Sequence, residues 1–84
     1  MPRLSDNVRT THTGDGAVVL DISRGRMFTF NRTGSRILQL LNTGVEETEI
    51  ALTLVREFSA DPRTAKTDTG EFLALLQQHE LVEP

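Results

Sequence analysis

Two histidines, four serines and a run of glutamates are the side chains best suited to catalysis or metal binding in this 84-residue chain. Their spacing assembles none of the familiar sites. His12 lies in a β-branched stretch and His79 near the C-terminus. With no cysteine and no second histidine at helical spacing, they do not make a zinc site. Ser5, Ser23, Ser35 and Ser59 fall in stretches that read as turns or caps. None has a histidine nearby in sequence, and no nucleophile-elbow motif is present. Local turn and capping hydrogen bonds account for serines so placed. Gly14-Asp15-Gly16 is not followed by the glycines or the Gly-Lys-Ser/Thr of a phosphate loop, so it reads as a turn. Asp15, Asp21 and Asp61 do not follow calcium-loop spacing. Glu46, Glu47 and Glu49 sit where the positive end of a helix dipole favours acid, which makes them a solvated helix start. The expectation is a protein that is not an enzyme and holds neither cofactor nor metal.

Composition narrows the class further. A chain of this length is expected to be one domain, residues 1–84. It buries only about 60–65% of its unfolded surface. Without Trp or Tyr, four Phe carry the aromatic packing. The absence of cysteine fits a reducing cytoplasm. No charged start leads into an apolar run, and no apolar stretch is long enough for a bilayer, so neither secretion nor membrane association is expected. A net charge of −3 opposes nucleic-acid binding, which needs clustered Lys and Arg.

The elements come in two halves. Val8–His12 reads as a first strand. Ala17–Ile22 reads as a second, with Val18, Leu20 and Ile22 on one face and Ala17, Val19 and Asp21 on the other. After the turn at 23–26, with Gly25 suited to positive φ, Met27–Asn31 reads as a third. Val18, Leu20 and Ile22 are expected to join Phe28 and Phe30 on the face covered by helices. From Thr33, the expected N-cap, the period becomes helical, with Ile37, Leu38, Leu40 and Leu41 as the stripe and Gly44 as terminator. A second helix is expected from about 46–48, burying Ile50, Leu54, Val55 and Phe58. Asp61 as N-cap and Pro62 at the first helical position open a third. Its apolar positions are Ala65, Phe72, Leu73, Leu75 and Leu76, and Gly70 interrupts it. Leu81 and Val82 are expected to fold back on the core. Strands followed by helices indicate an α+β domain, a three-stranded antiparallel sheet followed by three helices.

The third strand ends the meander, so one of its edges lacks a neighbour. Met27-Phe28-Thr29-Phe30-Asn31 carries no proline, lysine or inward charge to blunt that edge. Such an edge suits β-augmentation, in which an extended peptide adds a strand. The third helix supplies a wall, with Phe72, Leu75 and Leu76 expected toward the core and Ala65, Thr69, Leu73 and part of Leu76 toward the groove.

These features together resemble the PqqD-like family. The resemblance rests on Leu20-Asp21, Gly25, Phe28–Asn31, Thr33-Gly34, Ile37–Leu41, Gly44, Glu46–Phe58, and the closing Asp68, Phe72, Leu73, Leu76 and Leu81-Val82. It spans about residues 8–82. It implies a winged helix-turn-helix-like fold that recognises ribosomally made peptides destined for modification. The leader of the precursor would pair with the third strand and lie against the third helix. By position this implies a peptide site at Met27, Phe28, Thr29, Phe30, Asn31, Ala65, Asp68, Thr69, Phe72, Leu73 and Leu76. The Leu-Asp-Ile-Ser-Arg-Gly-Arg turn is most similar to the stand-alone partners of lasso-peptide leader peptidases. That implies two partners, a precursor peptide and a separate transglutaminase-like cysteine protease. The chain departs from the pattern at Glu80, where relatives often have Gly, at Gly70, and at Glu46 in place of Ser or Thr.

Other readings share the fold. One is a chaperone for the pyrroloquinoline quinone precursor, and another is a structural subunit of a larger enzyme. A third is a winged-helix DNA-binding regulator, opposed by Asp68 and Glu71 on its prospective recognition helix. The open strand edge also allows a homodimer.

Overall fold

The computed structural model describes residues 3–83. Four strands, β1 (Arg3–Leu4), β2 (Val8–His12), β3 (Gly16–Asp21) and β4 (Arg26–Asn31), precede three helices, α1 (Arg32–Asn42), α2 (Glu47–Phe58) and α3 (Pro62–Gln78), and β5 (Val82–Glu83) closes the chain. β2, β3 and β4 form an antiparallel sheet in that order. The α+β meander followed by three helices is the expected architecture. A second ribbon, β1 against β5, has no sequence signature, because two-residue strands carry no periodicity. It ties together the two ends of the described chain, and Ser5 N–H donates to the Leu81 carbonyl at 2.9 Å.

The helices cover one face of the sheet. Ala17 and Val19 meet Ile37, Leu38, Leu41, Ile50, Leu54 and Leu76 in one core cluster. Here the structure corrects the sequence reading. Leu20 and Ile22 are exposed and Val18 is half-buried, whereas Ala17, Val19 and Asp21 are buried. The register explains it. Ala17 lies opposite Phe30, Val19 opposite Phe28 and Asp21 opposite Arg26, and directly opposed residues share a face. The turn spans residues 22–25, so Ile22 belongs to the turn rather than to the strand.

Helix ends follow local chemistry. α1 starts earlier than expected, because Asn31 rather than Thr33 is the N-cap and its side chain accepts from Gly34 N–H at 2.9 Å. Asp61 caps α3 through Thr64 N–H at 3.1 Å, with Pro62 in the first turn. α3 runs through Gly70 without a break. It closes in a Schellman motif, with Leu81 N–H donating to the Leu76 carbonyl and Glu80 N–H to that of Gln77. Glu80 therefore takes φ 58°, the left-handed conformation that favours glycine. Leu81 is fully buried, as the fold-back expectation required.

Candidate functional site: an open strand edge beside α3

The direction of each main-chain group in the sheet follows from two hydrogen bonds. Ile22 N–H donates to the Asn7 carbonyl at 3.0 Å, and Thr13 N–H to the Gly16 carbonyl at 2.8 Å. Even-numbered residues of β3 thus turn their main-chain groups toward β2. By alternation, Ala17, Val19 and Asp21 turn theirs toward β4, where they oppose Phe30, Phe28 and Arg26. The main-chain groups of Met27 and Thr29, and the N–H of Asn31, therefore point away from the sheet. β4 is the last strand of this sheet, so these groups form an open edge. Met27 is 68% exposed and its side chain stands on the outer face. Phe28 and Phe30 point inward and are half-buried against the core.

One end of the edge is fixed by a buried acid. Asp21, 1% exposed, accepts from Arg26 at 2.7 Å, from the Ser23 hydroxyl at 3.1 Å and from Arg24 N–H at 3.2 Å. These donors, Arg26 foremost, hold its carboxyl at about 2. Arg26 also donates to the His79 carbonyl at 2.7 Å, and its guanidinium lies 5.3 Å from the centre of the Phe28 ring. Arg24 reaches Glu80 at 3.0 Å. The β3–β4 turn is thereby clamped to the C-terminal end of α3.

α3 forms the wall beside the edge. Asp68, Glu71, Phe72, Leu75 and His79 recur at helical spacing on one side. The His79 ring lies 5.1 Å from Phe28, and Phe72 meets Phe30 edge-on at 5.1 Å. Gly34 lets this aromatic pair approach α1, since a Cβ there would stand 3.0 Å from the Phe72 ring and 3.1 Å from Phe30 Cβ. At the Asn31 end, Asn31, Thr33, Gly34, Ile37, Asp68, Glu71, Phe72 and Leu75 surround an open groove of about 350 Å³.

The sequence-predicted site residues divide between this groove and the core. Met27, Thr29 and Asn31 lie on the open edge, Phe28 and Phe30 behind it, and Asp68 and Phe72 on the wall. Ala65, Thr69, Leu73 and Leu76 do not reach the groove. All four are buried, at 2%, 0%, 4% and 0% exposure, and form the core stripe of α3. Leu76 faces the core as expected, but Ala65, Thr69 and Leu73 join it there, while Phe72 and Leu75 lie on the groove side, Leu75 at 40% exposure. Leu75, Glu71, Thr33 and Gly34 line the groove and His79 lies beside Phe28, positions that the sequence reading did not assign to the site. The i+3 and i+4 steps from Asp68 and Phe72 carry the signal for Glu71 and Leu75.

One pair distant in sequence meets in space. His12 Nδ1 lies 2.7 Å from Ser35 Oγ, tying β2 to α1. Among the described residues no carboxylate hydrogen-bonds this histidine, and Ser35 is buried. Again among the described residues, no group of three or more His, Cys, Asp or Glu side chains could hold a metal ion, and no helix is long and apolar enough to cross a membrane.

A helical wall beside an open strand edge, on this order of elements, is the architecture of a PqqD-like recognition domain. The family model described as coenzyme PQQ synthesis protein D (PqqD) matches residues 16–82, and the chain belongs to that family. Solved structures agree. TbiB1 in complex with the TbiA(beta) leader peptide is 36% identical, with 96% of this chain and 94% of that one covered and a TM-score of 0.89. A lasso peptide synthetase B1 complexed with the leader peptide is 25% identical, with 99% and 98% covered, also at 0.89. The PqqD truncation of Methylobacterium extorquens PqqCD, a stand-alone recognition element for ribosomally synthesised and post-translationally modified peptides, is 27% identical, with 99% and 88% covered, at 0.80. No curated protein sequence matches the chain.

Proposed function

We propose that this protein binds the leader region of a ribosomally made precursor peptide as an added strand on β4 and presents it to a separate modifying enzyme. The open edge of Met27, Thr29 and Asn31 beside the Phe72–Leu75 wall is the observation that carries this reading. Main-chain hydrogen bonds would supply affinity, and the groove would read alternate side chains. Two relatives solved with leader peptides support the same assignment. They also favour lasso-peptide biosynthesis, in which the partner is a leader peptidase of the transglutaminase-like cysteine protease type. On this reading the chain itself is not an enzyme, acts in the cytoplasm, and can pair β4 with a second copy when no peptide is present. The family description supports a second reading, a chaperone for the pyrroloquinoline quinone precursor, which would use the same surface.

The test is binding to labelled synthetic leader peptide, taken from the precursor encoded beside this protein's gene. Submicromolar and weakly salt-dependent affinity is expected. No binding to that peptide, with salt-sensitive binding to duplex DNA, would refute the proposal in favour of a winged-helix regulator.

A further inference from the structure

The edge changes chemistry along its length. β4 runs antiparallel to α3. Arg26 at its start reaches the His79 carbonyl, Phe28 lies beside His79 and Phe30 beside Phe72. Asn31 at its end shares the groove with Asp68 and Glu71. A strand added to β4 would turn inward the residues opposite Phe28 and Phe30, because directly opposed residues share a face. The next inward residue, two positions further on, passes the end of β4 and enters the groove. The first two meet an apolar floor of Phe28, Phe30 and Leu75. The third enters the groove where Asp68 and Glu71 stand beside Phe72 and Leu75.

Asp68 and Glu71 are exposed, and among the described residues neither takes part in an ion pair. The nearest cation in sequence to Asn31, Arg32, is turned over the Phe58 ring, 5.9 Å from its centre. The other end of the edge shows no matching demand for acid. Arg26 and Arg24 are already engaged by Asp21, the His79 carbonyl and Glu80.

We propose that Asp68 and Glu71 select a lysine or arginine in the bound peptide, two residues beyond a pair of apolar residues themselves spaced by two. The peptide pattern, counted from the Arg26 end of β4, is apolar-x-apolar-x-basic. This specificity rests on the strand-addition reading above.

Selection from a phage-displayed library of random peptides tests it without knowledge of the natural ligand. The baits are the wild-type protein, D68K/E71K, and T29P, which removes an outward main-chain donor from the edge. On wild type, the two apolar columns should emerge, with Lys and Arg enriched in the third, by up to about fivefold for an exposed pair. Whether the pattern reads forward or backward along the peptide reports a parallel or antiparallel added strand. D68K/E71K should keep the apolar columns and turn the third acidic. Higher salt should weaken a selected peptide but not its Lys→Gln version. Apolar columns without charge preference, or the same preference on D68K/E71K, would overturn the inference and leave strand addition standing. No enrichment on wild type, or identical sequences on T29P, would overturn strand addition itself.

Discussion

Thr29→Pro separates an open edge from a paired one, because the direction of each amide in β4 follows from the register. Thr29 N–H points away from β3, so proline there breaks no bond of the sheet, which is the position where edge strands tolerate it. An added peptide would lose one main-chain hydrogen bond, worth about 0.5–1.5 kcal/mol net. A peptide carbonyl facing the proline ring would also lack its donor, for a total of about 1.5–3 kcal/mol. That corresponds to a loss of roughly ten- to hundredfold in affinity. The control is Phe28→Pro, one residue away. Phe28 N–H faces Val19 within the sheet, so this change breaks a ladder bond and places a side chain of the wrong shape against the core. The assay is leader-peptide titration by fluorescence polarisation, with circular dichroism melts of each variant. The expected result is a folded T29P that binds poorly and an F28P that melts well below wild type. A folded T29P with unchanged affinity would refute strand addition at this register. An unfolded T29P beside a stable F28P would refute the assignment of amide directions.

Other changes test the packing behind the edge. Leu73→Glu places a carboxylate in the core at a position 4% exposed. It should cost about 3–5 kcal/mol or more, much of the roughly 4–12 kcal/mol available to a domain this size, so the variant should be largely unfolded in a urea titration. A native-like melt with weak peptide binding would instead place Leu73 in the groove. Asp21 sets a pH dependence. Its carboxyl titrates near 2 when folded and near the ordinary 3.8 when unfolded, so the native state holds fewer protons between these values. Its stabilisation is full above about pH 5 and is lost as pH falls toward 2. Asp21→Asn should remove that part of the slope of melting temperature against pH, and an unchanged slope would exclude the cage as its origin. Gly70→Ala should stabilise by about 0.5–1 kcal/mol, since it restores helix propensity while its Cβ meets only the Glu47 carboxylate tip at 3.4 Å. A lowered melting temperature would show that α2 and α3 need the glycine for close packing.

The sequence showed the elements more clearly than their faces. The start of α3 was legible because Asp61-Pro62 encodes an N-terminus through both capping and fixed φ. The α1 stripe was legible because Ile37, Leu38, Leu40 and Leu41 leave one orientation for burial. β3 misled because Val18, Leu20 and Ile22 form the more hydrophobic of its two faces. The buried face instead carries Ala17, small enough to sit opposite Phe30, and Asp21, whose burial is offset by Arg26, Ser23 and Arg24. Hydropathy does not show a caged acid. The Asp-x-Ser-Arg-Gly-Arg spacing of its donors did carry the signal. α3 misled for a related reason. Its apolar residues wrap the helix, and Thr69, fully buried, completes a core stripe that polarity alone would break. The open edge was legible because Met27–Asn31 lacks the residues that blunt an edge.

Amide hydrogen exchange with and without the leader peptide tests the central claim most directly. In the free protein, Phe28 and Phe30 amides should be protected by β3, while those of Met27, Thr29 and Asn31 exchange fast. Saturating peptide should slow Met27, Thr29 and Asn31 and leave Phe28 and Phe30 little changed. Fast exchange at Met27 and Thr29 in a saturated complex, with new protection elsewhere, would contradict the account and place the peptide on another surface.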